Sequence, residues 1–229
     1  MNKKLILAIE TAIGGGSISL LENETEIDFW IGKREVSKAE DVLEQIASLL
    51  GKHKPEKTRI DLIVFSSGPG SMTGARIGFA TVLGLQKSWN CQWIGVNVLE
   101  TLFLLSDKPK RTLTATPFGR KQIACQIFDA NNSDCIVKIS PEIKTFKEFI
   151  EFINQGEVEE LIVHDKLFSF INEQKQRNLT KEISLINAGE NLAKFIGIKG
   201  LRMTNTSASD NHRQYHNYTT KIKDQKIEK

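Results

Sequence analysis

The chain has 229 residues, 40% of them hydrophobic and 26% charged, with a formal net charge of +3; this is the profile of a globular protein long enough for one large domain or two lobes, and it excludes fibrous and low-complexity classes. The basic excess sits in the last stretch, where residues 199–229 carry seven basic groups against three acids, so the body of the chain offers no broad nucleic-acid or membrane surface by charge alone. Three irregularly spaced cysteines, Cys91, Cys125 and Cys135, exclude a disulfide framework and a CxxC zinc site.

In chain order, Lys3 and Lys4 precede an apolar run, Leu5–Ile9, that Glu10 ends too soon for a secretion signal. No run reaches a membrane-spanning length, so a cytoplasmic protein with no membrane partner is expected. Leu5–Ile9 reads as a strand covered on both faces. Glu10-Thr11 and the turn Gly14-Gly15-Gly16 follow, and Ser17–Leu21 and Glu26–Ile31 complete an antiparallel meander. Ser37-Lys38-Ala39-Glu40 is a capping box, after which Ala39, Val42, Leu43, Ile46, Leu49 and Leu50 share one helical face until Gly51.

Ile60–Phe65 is a buried strand leading into Ser67–Gln86, SGPGSMTGARIGFATVLGLQ. The turn Gly68-Pro69-Gly70 breaks the strand and Ser71 or Thr73 caps the helix that follows. The start of that helix presents backbone N–H groups that suit an anion, with Arg76 as a charged residue in its first turns. No Gly-Lys-Ser/Thr follows the turn, so this is not a Walker loop. Gly74, Gly78 and Gly84 lie inside the helix, at a cost of up to about 1 kcal/mol each against alanine. Gly74, Gly78 and Thr81 fall on one face, with Ile77 beside them. Such a smooth stripe serves either a partner's close approach or tight packing on the chain's own sheet.

A strand at Cys91–Val96 and a short helix at Val98–Leu105 close a first lobe, residues 1–107. Beyond the basic linker Lys108–Arg111 the order returns over residues 108–200. Strands are expected at Arg111–Ala115, Ile123–Phe128 and Cys135–Ile139, and a second capping box, Thr145-Phe146-Lys147-Glu148, opens a helix to Asn154. A strand at Leu161–His164, a helix at Lys166–Arg177, a strand at Ile183–Ile186 and a helix at Asn187–Ile196 follow. The fold class is therefore α/β, a duplication in which each lobe is a mixed sheet with helices. Residues 201–229 read as a polar, basic tail without regular structure.

A strand ending in Glu10-Thr11 with a hairpin behind it, the GPGSMTGARIGFATVLGL element and the doubled meander together resemble the bacterial TsaB (YeaZ) family, M22 glycoprotease-like members of the two-lobed actin-like ATPase (ribonuclease H-like) superfamily. The resemblance is specific over Ser67–Leu85, moderate over Leu5–Leu105 and topological beyond. It implies a part in making threonylcarbamoyladenosine in tRNA, as a noncatalytic subunit that dimerises with a TsaD-like catalytic chain and works beside a TsaE-like ATPase. A homodimer is also compatible with it, and tRNA is touched only indirectly. The implied interface is built from the first two helices of the first lobe, here Ala39, Val42, Leu43, Ile46, Gly74, Ile77, Gly78 and Thr81. Glu10, Thr11, Gly68, Gly70, Ser71, Thr73 and Arg76 form the candidate nucleotide or anion site. No cofactor of its own is expected, with ATP or ADP admitted at the complex interface.

The chain departs from that family at three places. Arg34-Glu35 is followed by Val36 where a histidine is usual, Thr116-Pro117-Phe118-Gly119-Arg120 stands where Asp-Ala-Arg is common, and no Pro-x-Tyr-x-Arg surrounds Tyr215 or Tyr218. The kinases and ATPases of the superfamily use a carboxylate in each lobe to hold magnesium and the attacking water. Glu10 can fill the first position, but Arg111–Gln122 contains no acid. No catalytic residue is therefore assigned, and a small-molecule kinase or ATPase is the alternative, alongside a self-associating paralogue. His212 and His216 are spaced four apart but lack the following Glu and a third ligand, so no metal site is assigned. His53 and His164 have no partner for a triad, and Asn187 reads as a helix cap.

Overall fold

The computed structural model describes residues 3–33, 39–53, 59–107, 111–130 and 136–206. The first sheet holds β1 (Leu5–Glu10), β2 (Ser17–Glu22), β3 (Thr25–Ile31), β4 (Leu62–Ser66) and β5 (Gln92–Val96), in the order β3-β2-β1-β4-β5. β1 pairs antiparallel with β2 and parallel with β4. Its unbroken apolar sequence follows from cover on both sides. Leu7 and Ile9 meet the layer of α1 (Ala39–Lys52) and α2 (Met72–Trp89), and Ile6 and Ala8 meet the opposite layer.

The second sheet repeats the topology. β6 (Arg111–Phe118) pairs antiparallel with β7 (Gln122–Ala130) and parallel with β10 (Glu160–Val163), and β10 carries β11 (Ser184–Asn187). The place of β3 is taken by two short strands, β8 (Ile136–Lys138) and β9 (Glu142–Thr145), both on β7. The expected strand Cys135–Ile139 is present as β8, and β9, beyond Pro141, is an element the sequence pattern does not reveal. α4 (Phe146–Gln155) begins at the expected capping box, where Glu148 Oε2 accepts the Thr145 N–H at 2.7 Å. α5 (Asp165–Arg177) covers the same side. Ser37 and Lys38 of the other capping box lie outside the described residues.

Each half lends its last helix to the other sheet. α3 (Val98–Leu102), extended by a 3-10 turn at Phe103–Leu105, packs on β6, and Phe103 stacks on Phe128 at 4.6 Å. α6 (Leu192–Thr206) packs on β1, β2 and β4. The sequence placed this helix at Asn187–Ile196 and began the tail at residue 201; it starts at Leu192 and runs to Thr206. Gly197 and Gly200 mislead because they read as helix breakers. In the fold they permit close approach, since β-carbons there would meet Leu21 at 2.7 Å and Val64 at 2.5 Å. Ser17 Oγ accepts the Ala193 N–H at the start of α6, Asn191 donates to Glu26, and Arg202 makes a two-pronged bond to Glu24. Among the described residues no helix is long and apolar enough to cross a membrane.

Candidate functional site

Glu10 closes β1 at the junction of the halves and is 2% exposed. Its Oε1 accepts the N–H groups of Ala12 at 2.6 Å and Ile13 at 3.0 Å. Burial pushes its carboxyl up to about 8, against the pull of those two hydrogen bonds. Glu10 is therefore a neutral acid at pH 7 that shapes the turn after β1. That turn is interior: Thr11, Ala12 and Ile13 are buried, and Ile13 packs in one cluster with Ile162, Ala188 and Leu192 from the other half.

The turn also fills the start of α2. Ser71 donates its N–H to the Ala12 carbonyl at 2.6 Å, and Ser71 Oγ accepts the Gly74 N–H as the helix cap. Thr11 Oγ1 donates to the Gly74 carbonyl at 2.8 Å. A β-carbon on Gly70 would lie 2.5 Å from the Ala12 carbonyl oxygen, and one on Gly74 would overlap that of Thr11. The expected anion cradle at Gly68, Gly70 and Ser71 is in this way occupied by the chain's own backbone. Thr73 and Arg76 face outward, and among the described residues the Arg76 side chain has no ion pair or hydrogen bond.

The expected partner residues divide in the same way. Gly74, Gly78 and Thr81 are buried inward, with Thr11 Oγ1 where a Gly78 side chain would begin. This corrects their reading as a free docking stripe: the close approach they allow is to Thr11 in the same chain. Val42 and Ile46 are likewise core residues, packed with Val82 and Phe65, and Ile77 is partly buried against them. Leu43 remains outward, 50% exposed. The side chain of Ala39 lies outside the described residues. On the outer side of α2 the sequence pattern overlooks Met72 and Leu83, 43% and 42% exposed, and Gly84, whose β-carbon position is open. Their signal was available in the helical spacing, once Gly74 and Gly78 are turned inward.

In the second half, β6 carries Thr112, Thr114 and Thr116 on one buried face, and the Thr116 hydroxyl has no hydrogen-bond partner. His164 caps α5: its Nδ1 accepts the Lys166 N–H at 3.1 Å, and burial pushes its pKa down to about 4, so it is neutral with the proton on Nε2. Asn187 ends β11 rather than capping a helix; its carboxamide donates to Asp165 and accepts the Gly189 N–H. His53 lies 3.1 Å from Asp28 at the end of α1. No group of three metal-ligating side chains occurs among the described residues, and His212 and His216 lie outside them.

A magnesium nucleotide held between the two turns does not fit these residues. The first turn is packed, its acid is uncharged, the helix start behind it is capped internally, and the second turn offers no carboxylate.

The two sheets of one topology, with their last helices exchanged, define a protein of the two-lobed actin-like class. Two YeaZ-type structures from Pseudomonas aeruginosa superpose with a TM-score of 0.62: a protein with similarity to the peptidase YeaZ (15% identity, 92% of this chain and 96% of that one), and YeaZ itself (14%, 92% and 97%). An inorganic polyphosphate/ATP-glucomannokinase from Arthrobacter sp. strain KM gives 0.58 at 8% identity, covering 88% of this chain and 99% of that one. At such identities the likeness establishes the fold. The family model described as TsaD, tRNA N6-adenosine threonylcarbamoyltransferase, matches residues 35–196. The chain belongs to that family, as a TsaB/YeaZ-type member. The tRNA threonylcarbamoyladenosine biosynthesis protein TsaB of Escherichia coli (strain K12) is 33% identical over 98 residues; the match spans 42% of this chain and 42% of that protein, less than half the length of the curated relative.

Proposed function

We propose that this chain is a noncatalytic subunit of the machinery that makes threonylcarbamoyladenosine in tRNA, pairing with a TsaD-like catalytic chain. The observation that carries the noncatalytic part is the pair of turns: Glu10 is buried and spent on the N–H groups of Ala12 and Ile13, and Arg111–Gln122 contains no acid. Membership of the family supports the pathway. The pairing surface is the outer side of α1 and α2, where Leu43, Met72 and Leu83 put apolar side chains into solvent. In the same reading a TsaE-like ATPase joins the assembly, a homodimer through this face competes with the TsaD-like chain, and ATP or ADP is held at the complex interface rather than between this chain's halves.

Co-purification with the TsaD-like protein of the same organism tests the proposal. Stoichiometric complex and no ATP turnover by the isolated chain are the expected results. Steady turnover without a partner, or indifference to the TsaD-like chain, contradicts it.

A further inference from the structure

β3 is the outermost strand of the first sheet, and among the described residues nothing pairs with its free side. In the second half the corresponding place is divided between β8 and β9, so only the first half presents it as a single strand. Phe29 lies opposite Ser19, which lies opposite Ala8, on the side of the sheet that meets α6; Asp28 and Trp30 face the α1 side. Phe29 is 50% exposed. The main chain alternates as well. Gly32 donates its N–H to the Gly16 carbonyl, toward β2, so the N–H groups of Phe29 and Ile31 point away from the sheet.

A free edge of this kind is a template for another strand, and proteins guard it. The guard here is Asp28. Its Oδ1 accepts the Phe29 N–H at 2.8 Å and so occupies a donor that an incoming strand would use. Its Oδ2 lies 3.1 Å from His53 Nε2 and 3.6 Å from Lys52 Nζ, and the end of α1 thereby holds the carboxylate in place. Ile27 is skipped where the register with β2 shifts between Leu20 and Leu21, so it bulges, and the regular edge is residues 28–32.

We infer that this edge is a self-association surface, closed by Asp28, whose partner is the β3 edge of a second copy of the chain. Two copies related by a two-fold axis at Trp30 join antiparallel. Phe29 of each then lies opposite Ile31 of the other, and each such pair exchanges two main-chain hydrogen bonds beneath an apolar cross-strand contact. Trp30 meets its own counterpart, and Asp28 falls opposite Gly32, with Lys33 of the other copy next along. No like charges are opposed in this register, and the carboxylate at one end of the strand meets the ammonium at the other. That self-complementarity selects a second copy over an unrelated strand. The edge is separate from the outer side of α1 and α2, and the inference stands apart from the function proposed above.

The test is analytical ultracentrifugation of the full-length chain in a Leu43→Lys, Leu83→Lys background, which blocks association through α1 and α2. That background is expected to be monomeric at micromolar concentration. Adding Asp28→Ala frees the Phe29 N–H and should tighten self-association about tenfold or more, with slowed amide exchange at Phe29 and Ile31 in the dimer. Asp28→Asn keeps an oxygen that accepts from Phe29 while losing the charge that attracts Lys52, and it stays monomeric. Phe29→Lys added to Asp28→Ala restores the monomer, because it sets a cation into each joined edge. Asp28→Val, a better strand former, carries the same expectation and replaces the alanine variant if that one does not fold. A monomeric Asp28→Ala or Asp28→Val chain overturns the inference, as does association that survives Phe29→Lys or that Asp28→Asn shows equally. Tighter binding of the TsaD-like chain by Asp28→Ala without self-association also overturns it, and assigns the edge to that partner.

Discussion

The two faces of α2 share a helix and a composition yet answer to different constraints. The inner face has given up side chains at Gly74 and Gly78 so that the Thr11 turn can lie against the helix backbone, and a hydrogen bond from Thr11 Oγ1 to the Gly74 carbonyl fixes that contact. The outer face keeps Met72 and Leu83 in solvent, and a β-carbon added at its glycine, Gly84, would meet nothing within 4 Å among the described residues beyond its own helix. A glycine in a helix therefore has no single meaning. On one side it is a packing requirement, and on the other only the usual loss of helix propensity is left to act.

The same substitution on the two faces should move stability in opposite directions. Gly74→Ala drives a β-carbon into a backbone carbonyl that cannot turn aside, and a loss of about 3 kcal/mol or more is expected in urea unfolding. An unchanged midpoint would mean that α2 does not rest on Thr11. Gly74→Leu and Gly78→Leu are for this reason probes of folding and not of partner binding.

Next in size is the effect of Glu10. The unfolded carboxyl ionises near its ordinary 4.5, whereas the folded one keeps its proton to about pH 8, so ionising it costs stability as the pH rises between those values. His164 has the opposite sign: its folded pKa of about 4 lies below the ordinary 6.5, and stability is lost as the pH falls between them. The two slopes oppose one another from about pH 4.5 to 6.5. From 6.5 to 8 Glu10 acts alone and removes about 2 kcal/mol. Glu10→Gln, whose Oε1 can still accept from Ala12 and Ile13, is expected to abolish that decline in melts taken across the range. A decline that survives the substitution would show that Glu10 is not its source.

The smallest effect completes the contrast. Gly84→Ala should stabilise the chain by about 0.5–1 kcal/mol, the ordinary helix-propensity gain at an open position. Destabilisation in thermal melts would place Gly84 in contact with something.

The strands of the meander, the Thr145 capping box and the duplication were legible because alternation, cap chemistry and element order are local signals. The glycines of α2 and α6 were legible only as a departure from helix propensity. Which backbone lies against Gly74 depends on a turn more than sixty residues earlier, as the 63-residue span of the Thr11–Gly74 bond records. Pattern alone could not tell an internal contact from an external one. For the same reason Val42 and Ile46 read as a partner face when they are the inner half of an amphipathic helix, while Leu43, one residue on, is outward. The missing acid in the second half was visible directly, since it needs no spatial information. The neutral state of Glu10 was not, because it follows from burial that only the fold supplies.

The central claim is that the outer side of α1 and α2 binds a TsaD-like chain. The most direct measurement is the dissociation constant of that pair for the wild type and for a variant carrying Leu43→Lys and Leu83→Lys. Both side chains are already in solvent, so the variant should melt within about 1 kcal/mol of the wild type, yet bind on the order of a hundredfold more weakly. Equal affinity in the folded variant would contradict the account.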